Sequence, residues 1–386
     1  MTGIVTVLAA VFALAVAAGA ATLIAAAWTV IRFHAQGPSA PAARPPITIL
    51  KPLCGAEAEL ADNLRSFLRQ DYPAFQIVFG VQNADDPAIG VVRRLIAEHP
   101  EADVALVVDA RRHGTNRKVG NLLNMLPSAR HRLLIVADSD IRVPPGYLDS
   151  IAADLAKPGA GLVTCLYTGR GAVGLWARLG VAFIDHGFLP SVLLGRLMGR
   201  RDGCFGATMA LSRATLDRLG GLERFRDHLA DDHALGAAVR ELGLPLVLSP
   251  CLVSTTVTER SAADLIAHEL RWMRTVRAIE PSGHAGSIVT YPLFLSLIAL
   301  ALSLAAGLPW LGLAAVLLAL AVRASAGRAI DRALGQPPTP LWLLASRDLL
   351  SAGLLVASFC GTTVTWRDAR YRVDSDGRLH FCGEEP

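Results

Sequence analysis

Charged side chains are scarce in this 386-residue sequence, at 18% of all residues, whereas hydrophobic residues make up 52%. This balance is too apolar for an ordinary soluble enzyme, so membrane segments are expected. The net charge is only +4 and no concentrated basic stripe is present, which argues against a nucleic-acid partner. The weak positive charge suits anionic lipid or a phosphate-bearing ligand instead.

The six cysteines are scattered and form no CxxC pair. This absence argues against a structural zinc site and against a disulfide framework, and it fits a reducing cytoplasm. Internal repeats and low-complexity segments are also lacking, apart from a bias towards Ala and Leu in the apolar stretches. The length is enough for one large globular domain plus additional elements.

Residues 3–31 contain no charged residue and exceed the roughly 20 residues that span a bilayer. A secretory signal peptide is the alternative, but no basic segment precedes this run and it is about twice as long as a usual signal-peptide core. Arg32 and His34 follow it, which places its C-terminal end in the cytoplasm. We predict a transmembrane anchor at residues 1–34, followed by a Pro- and Ala-rich linker at 35–46.

Short aliphatic runs alternate with amphipathic stretches from residue 47 to residue 260, for example "ITILKPL", "LADNLRSFLRQD" and "FQIVFGVQN". Runs of this kind separated by helical periodicity indicate βα units around a buried parallel sheet. The sequence therefore predicts a catalytic domain of α/β class with a Rossmann-like, mostly parallel sheet. In such sheets ligands bind at the carboxyl ends of the strands.

The C-terminal third is dominated by apolar stretches. The charged residues between these stretches indicate where each predicted segment begins and ends. Arg347 and Asp348 lie near the start of the last stretch, where charge is costly at bilayer depth. We therefore expect that stretch to be re-entrant or interfacial, with the two residues paired or at the headgroups. The preceding amphipathic helix is expected in the membrane interface, although an ordinary packing helix is the alternative. The predicted segments are an amphipathic helix at 261–284, a transmembrane hairpin at 285–323, a cytoplasmic basic loop at 324–340, the third apolar segment at 341–361 and a tail at 362–386.

Two carboxylates end the buried strand in "LLIVADSDIRV" (133–143). Buried carboxylates are costly when unpaired, so Asp138 and Asp140 must reach solvent or meet a cation. Alternation along an extended chain points both side chains to the same side. Hard oxygen ligands at this spacing suit Mg²⁺ or Mn²⁺. A helix cap or an Asx turn is the alternative for either residue.

Three further stretches carry polar residues at the ends of predicted elements. Asp86 follows a strand in "GVQNADDPAIG", where it can cap the next helix or bind a nucleoside. Lys118 in "HGTNRKVG" lies at the start of a helix, where a cation and free N–H groups favour phosphate, unless the turn is simply exposed. Asp231 and Asp232 begin another helix, whose dipole also allows a plain capping role. In "GCFGATMALSR" (203–213), the small residues allow the backbone to approach a bound ligand.

These motifs together resemble a known family. The order Asp86, Lys118, Asp138-Ser-Asp140, Asp232 and His268-Glu-Leu-Arg271-Trp272 is similar to the processive-type family 2 glycosyltransferases and their family 21 ceramide glucosyltransferase relatives, whose pattern is three separated aspartates followed by (Q/R)xxRW. The stretches "LKPLCGAE", "GCFGATMALSR" and "HELRWMRT" look like the branch that contains ceramide glucosyltransferases and the bacterial hopanoid-biosynthesis-associated glycosyltransferase. The "TWRDARYRV" stretch near the C-terminus resembles that bacterial group.

The resemblance implies a GT-A fold and an inverting hexosyltransferase that uses a UDP-sugar and a divalent cation. Two residues depart from the pattern: His268 stands where the motif has Gln or Arg, and Asp140 stands where animal ceramide glucosyltransferases have Gly. The roles that it implies are general base for Asp232, metal binding for Asp138 and Asp140, and donor binding for Asp86, Lys118, Asp138, His268, Arg271 and Trp272.

The expected protein is a multi-pass enzyme of the cell inner membrane with its catalytic domain facing the cytoplasm and a lipid acceptor that arrives from the bilayer. The resemblance favours transfer of N-acetylglucosamine or glucose to a hopanoid polyol such as bacteriohopanetetrol, and glucosylceramide synthesis is the alternative. A polysaccharide synthase is disfavoured because three or fewer C-terminal apolar stretches are few for a glycan channel. A non-catalytic scaffold would have no need for the acidic and Arg-Trp set.

Overall fold

A computed structural model gives the structure of the chain and describes residues 2–57, 59–171, 174–361, 363–366, 369–373 and 379–381. In the "TWRDARYRV" stretch, residues 367 and 368 therefore lie outside the described residues. The chain divides into two compact units, which we call the helical unit and the sheet unit. The helical unit comprises Met1–Ala35, Ala172–Gly199 and Glu259–Arg370, and the sheet unit comprises Gln36–Gly171, Arg200–Thr258 and Tyr371–Pro386.

Strands occur throughout the sheet unit and near the C-terminus. They are β1 (Ile47–Pro52), β2 (Phe75–Val81), β3 (Val104–Val108), β4 (Leu133–Val136), β5 (Ile141–Arg142), β6 (Leu162–Arg170), β7 (Met209–Ser212), β8 (Leu246–Thr256), β9 (Thr363–Trp366), β10 (Ala369–Val373) and β11 (Leu379–Phe381).

Helices make up most of the helical unit and cover the sheet in the other. They are α1 (Thr2–His34), α2 (Leu60–Leu68), α3 (Ala88–Glu98), α4 (Arg117–Met125), α5 (Tyr147–Leu155), α6 (Leu175–Phe183), α7 (Leu189–Leu197), α8 (Arg213–Arg218), α9 (Asp231–Glu241), α10 (Ala262–Ile279), α11 (Pro281–Gly286), α12 (Pro292–Ala305), α13 (Pro309–Ala333) and α14 (Leu341–Ser358). A π-helical turn, Ile184–Phe188, joins α6 to α7.

The main sheet has the strand order β3-β2-β1-β4-β7-β6-β8-β5. Its first half is parallel: β1 pairs with β2 and with β4, and β2 pairs with β3. In the second half β7 runs antiparallel to β4 and β6, and β5 runs antiparallel to β8. The α/β class and the mostly parallel sheet are as predicted. β6 and β8 also pair in parallel, so four of the seven strand pairs are parallel and only β7 and β5 run against the other strands of this sheet.

Alternation along the strands divides the apolar residues of the sheet unit between two layers. Ile47 and Ile49 of β1 belong to a core that α2, α3 and α5 cover, whereas Leu50 belongs to a second core that α4, α8 and α9 cover. Every residue of β1 is buried. The helices therefore lie on both faces of the sheet, and its strand ends remain for polar residues.

The helical unit packs apolar helices closely around small residues. A side-chain carbon at Gly312 of α13 would lie 2.5 Å from the Cα atom of Leu300 in α12. A carbon at Gly19 of α1 would lie 2.5 Å from the carbonyl oxygen of Val289, next to the start of α12. Such close approach of backbones at small residues is typical of helices that associate in a membrane.

Among the described residues, four helical segments are long and apolar enough to cross a bilayer: Gly3–His34, Leu175–Leu197, Pro309–Ala333 and Leu341–Ser358. The pair Pro281–Thr290 and Pro292–Ala305, bent by 67°, would be a fifth. The N-terminal apolar helix is as predicted, since α1 covers the proposed anchor.

The structure differs from the predicted boundaries in two places. Residues 172–199 belong to the helical unit, so the predicted catalytic domain at 47–260 is not continuous. Asp185, His186 and Pro190 interrupt the apolar run there, which hid it in the sequence. The predicted basic loop at 324–340 is largely helix, because α13 continues to Ala333. The third apolar segment, predicted at 341–361, is the helix α14 (Leu341–Ser358), and its re-entrant or interfacial position stays a prediction.

Candidate active site

Lys118 joins carboxylates from two separate parts of the sheet unit. Its Nζ atom lies 2.7 Å from Oδ1 of Asp138, which follows β4, and 3.1 Å from Oδ2 of Asp231 at the start of α9. The Lys118 side chain is only 14% exposed, whereas that of Asp138 is 36% exposed. Because β1, β2 and β4 are parallel, their carboxyl ends meet at this edge of the sheet. The predicted donor residues Lys118 and Asp138 therefore meet at the edge where such sheets bind ligands.

The loop before α4 fixes the position of Lys118. Asn116 caps the helix, because its side-chain oxygen accepts a hydrogen bond from the Val119 N–H at 3.1 Å. The Asn116 side-chain amide also donates to the His228 carbonyl at 2.7 Å, in the segment that leads to α9. The start of α4 and the approach to α9 are thus joined by hydrogen bonds, which brings Lys118 beside Asp231.

Asp232, the predicted base, is held by backbone N–H groups. Its Oδ2 accepts a hydrogen bond from Gly206 at 3.0 Å, and its Oδ1 accepts one from His233 at 2.7 Å. Burial, reinforced by the neighbouring carboxylate of Asp231, raises the pKa of Asp232 to about 6, although Lys118 opposes the shift. A carboxyl with a pKa near the working pH suits proton transfer better than an ordinary exposed aspartate.

Gly206 brings its backbone into contact with the same carboxylates. A side-chain carbon at this position would lie 2.8 Å from Oδ2 of Asp138 and 3.2 Å from Nζ of Lys118. The small residues of this stretch predicted a close approach of the backbone to a bound ligand. In the structure the glycine leaves room for the acidic cluster and donates to Asp232.

Asp138 and Asp140 lie in the turn between β4 and β5, with different partners. Asp140 Oδ2 accepts a hydrogen bond from Oγ1 of Thr255 in β8 at 2.5 Å. Burial, and secondarily the charge of Asp138, raises the pKa of Asp140. The two carboxylates are therefore close enough to influence each other.

Lys51 lies beneath this turn and was not identified from the sequence. It is fully buried in β1, and its Nζ donates to the backbone carbonyl of Asp138 at 2.5 Å. The Nζ atom also lies 4.0 Å from the ring centroid of Phe67. Burial lowers the pKa of Lys51 to about 7. Lys51 could have been identified from its place within the aliphatic run "ITILKPL", because a buried cation needs a nearby acceptor or carboxylate.

Asp86 belongs to the same edge of the sheet, in the segment after β2. Both of its oxygens accept the Gly55 N–H, each at 3.0 Å, and Oδ1 also accepts the Ala88 N–H at 2.8 Å. The capping role considered from the sequence is therefore present at the start of α3. The same hydrogen bonds fix the loop after β1 against the loop after β2.

The HxxRW motif lies on α10 in the helical unit. Ser261 and Asp264 form a reciprocal capping box at its start. The Nδ1 atom of His268 lies 2.5 Å from Oε1 of Glu259, and the His268 and Trp272 rings meet edge to face with centroids 4.4 Å apart. Arg271 is half-buried, and no described residue forms a hydrogen bond or ion pair with its guanidinium group.

In the sheet unit, Lys118 contacts both Asp138 and Asp231, and Asp232 follows Asp231 in the chain. The motif residues His268, Arg271 and Trp272 lie in the helical unit. No three His, Cys, Asp or Glu side chains form a metal-holding group within the described part of the chain. The roles predicted for the individual site residues stay predictions.

Comparison with known proteins agrees with this architecture. The family model "Glycosyl transferase family 21" matches residues 7–379. Ceramide glucosyltransferase 1 of Caenorhabditis elegans is 26% identical over 373 residues, which cover 92% of this chain and 78% of that protein. Ceramide glucosyltransferase 3 of the same organism is 27% identical over 241 residues, or 61% of this chain and 52% of that protein.

A solved structure shows a similar fold. The mannosyltransferase of Pyrobaculum calidifontis, in complex with GDP-Man and Mn²⁺, has a TM-score of 0.53 and 22% identity, and the match covers 92% of this chain and 99% of that one. The predicted GT-A fold and the predicted enzyme class are confirmed. The family model spans nearly the whole sequence, so this chain belongs to glycosyltransferase family 21.

Proposed function

We propose that this glycosyltransferase moves a hexose from a UDP-sugar to a hydroxyl of a membrane lipid, with ceramide as the preferred acceptor. The observation that carries the proposal is the cluster of Lys118, Asp138, Asp231 and Asp232 at the strand ends. The family and the ceramide glucosyltransferase relatives support glucose as the sugar and ceramide as the lipid.

Asp232 would act as the general base. A lipid hydroxyl is a poor nucleophile, and a carboxylate in hydrogen-bond reach takes its proton as the bond to the anomeric carbon forms. The hydrogen bonds from Gly206 and His233 hold this carboxylate in place. Asp231 is the less suitable base, since Lys118 already pairs with it. Direct displacement would invert the anomeric centre, so an α-linked donor would give a β-glycoside.

Cationic side chains would bind the donor diphosphate. Lys118 already bridges two carboxylates, so its charge is held at the strand ends where phosphate is expected. Arg271 is the second cation, and its guanidinium, which pairs with no residue in the part of the chain that the structure describes, is suited to phosphate oxygens. Trp272, His268 and Asp86 remain the other proposed donor contacts.

The chemistry of the two turn carboxylates fits a divalent cation. Mg²⁺ and Mn²⁺ use one or two protein carboxylates together with substrate phosphates, so a group of three protein ligands is not required. Asp138 is the more exposed ligand, and Asp140 lies behind it on the same turn. When bound, the cation would neutralise the charge that develops on the departing diphosphate.

The membrane would supply the acceptor. Several helices of the helical unit are apolar enough to span a bilayer, and we propose that the protein is a multi-pass enzyme of the cell inner membrane with its sheet unit in the cytoplasm. A hopanoid polyol with an N-acetylglucosamine donor is the second acceptor and sugar pair, favoured by the resemblance of the "TWRDARYRV" stretch to the bacterial group.

Product analysis tests the proposal. Membranes that contain the protein are incubated with labelled UDP-glucose or UDP-N-acetylglucosamine and offered ceramide or bacteriohopanetetrol, with Asp232→Asn membranes as the matched control. We expect labelled glucosylceramide from the wild type and none from the variant. A labelled hopanoid alone would replace ceramide as the acceptor. No metal-dependent lipid product above the control would overturn the proposal.

A further inference from the structure

Arg347 is a charged residue inside an apolar helix, and each of its three side-chain nitrogen atoms donates a hydrogen bond. It lies on α14, is 1% exposed, and forms a two-point contact with Glu269 of α10: Nη1 to Oε1 and Nη2 to Oε2, each at 2.7 Å. Its Nε donates to Oγ of Ser351 at 2.9 Å. A charged side chain in such a helix is costly and therefore indicates a functional constraint.

The Arg347 guanidinium also packs against an aromatic ring that lies beside α10. It lies 5.3 Å from the ring centroid of Phe183 in α6, and the Phe183 ring lies 6.0 Å from that of Trp272. Glu269 and Trp272 are three residues apart, so they lie on one face of the helix. Arg347 thus contacts α10 directly through Glu269 and indirectly through Trp272.

Arg271 lies two residues after Glu269, so it is not on the face of α10 that contacts Arg347. A fork of two parallel hydrogen bonds fixes both the position and the rotation of a helix better than an apolar contact does. The rotation of α10 in turn decides where the Arg271 guanidinium points.

We propose that Glu269 and Arg347 are positioning residues that set the rotation of α10 and thereby aim Arg271 and Trp272 at the donor diphosphate. The inference rests on the proposed function. It goes beyond the motif because Glu269 is one of the two unspecified residues within it and Arg347 lies outside it. Stability alone is a weaker reason for the pair, since two apolar residues in the same place are often equally stabilising.

The decisive variant is the double substitution Glu269→Met and Arg347→Met, because it removes both charges and leaves no buried ion unpaired. We expect its thermal unfolding to be close to that of the wild type, while KM for the UDP-sugar rises about 10- to 100-fold, the loss that a displacement of about 1 Å can cause. The apparent KM for the lipid acceptor should stay unchanged. Arg347→Lys keeps the charge without the fork and should also raise KM for the donor.

Asp348→Asn is the matched control, since Asp348 is the next residue of α14 and is equally buried, pairing with Arg323 at 2.9 Å. It should lower thermal stability without changing KM for the donor. A stable double Met variant with wild-type donor KM would overturn the inference and leave the proposed function intact. A wild-type protein that transfers no sugar from any UDP-sugar would overturn the proposed function, and the inference with it.

Discussion

Asp231 and Asp232 are neighbours in the chain, but their surroundings give them different chemistry. Lys118 neutralises Asp231, whereas backbone N–H groups of Gly206 and His233 hold Asp232 and burial raises its pKa to about 6. We expect Asp232→Asn to lower kcat by about 10²–10⁴-fold, the usual contribution of a positioned base. UDP binding, measured by calorimetry, should change little, because the amide keeps the shape of the carboxylate.

The wild-type pH profile provides a second measurement on the same residue. The base works only when it is deprotonated, so activity should be half-maximal near pH 6, the pKa of Asp232, approach a plateau well above that pH and fall below it. Asp231→Asn is the control, and it should retain far more activity than Asp232→Asn. Equal losses in both variants would contradict the assignment of the base to Asp232.

The sequence predicted Lys118, Asp138 and Asp232 as residues of one site, because strand-end position and helix-start position are both visible in the pattern. Asp231, which pairs with Lys118 in the structure, was not chosen as a site residue. The sequence did not predict which residues contact these side chains. Lys51 contacts the Asp138 carbonyl because β1 lies beside β4 in the folded sheet, and Thr255 contacts Asp140 because β8 lies beside β5. Gly206, which precedes β7, donates to Asp232. The Glu259 contact with His268 is nearer in the chain, yet it depends on the loop before α10, whose course no periodicity shows.

Among the helices, long uninterrupted apolar runs were recognisable and interrupted ones were not. The run of α1 contains no charge, so its extent was clear. The segment from α6 to α7 contains an aspartate, a histidine and a proline near its middle, and a π-helical turn lies there. In α13 the arginines suggested a loop, although Arg323 is buried and paired with Asp348 of α14. Pairing partners on other helices decide whether such charges are tolerated.

Two glycines in apolar helices allow a direct test of close helix packing. At Gly312 of α13 an added methyl group would collide with the backbone of α12, 2.5 Å from the Cα atom of Leu300, whereas at Gly353 of α14 nothing lies within 4 Å. We expect Gly312→Ala to destabilise the protein by about 1–3 kcal/mol, the usual cost of overpacking. Thermal unfolding in detergent measures the effect.

Gly353→Ala is the matched control for this packing test. It should be neutral or slightly stabilising, because alanine favours a helix over glycine by about 1 kcal/mol. If both variants were equally stable, the close approach of α12 and α13 would not contribute to stability.

At the scale of the whole chain, strand pairing limits the membrane topology. The segment Leu175–Leu197 is long and apolar enough to cross a bilayer, yet β6 precedes it and β7 follows it. These strands pair with each other in one sheet, at Val163 with Ala210. The chain on either side of this segment must therefore lie on one side of any bilayer, so we propose that the segment enters and leaves the membrane from the same side.

The same reasoning applies to the end of the chain. The chain returns to the sheet unit at Tyr371. In a bilayer, the proposed topology therefore requires an even number of crossings between residues 258 and 371. Arg32 and His34 lie at the end of α1, and by the positive-inside rule we propose that this end of the helix is cytoplasmic. We expect reporters inserted after Gly199 and after Pro386 to be cytoplasmic, and a reporter before Thr2 to be periplasmic. A periplasmic signal after Gly199 would contradict the shared sheet, and one after Pro386 would require an odd number of C-terminal crossings.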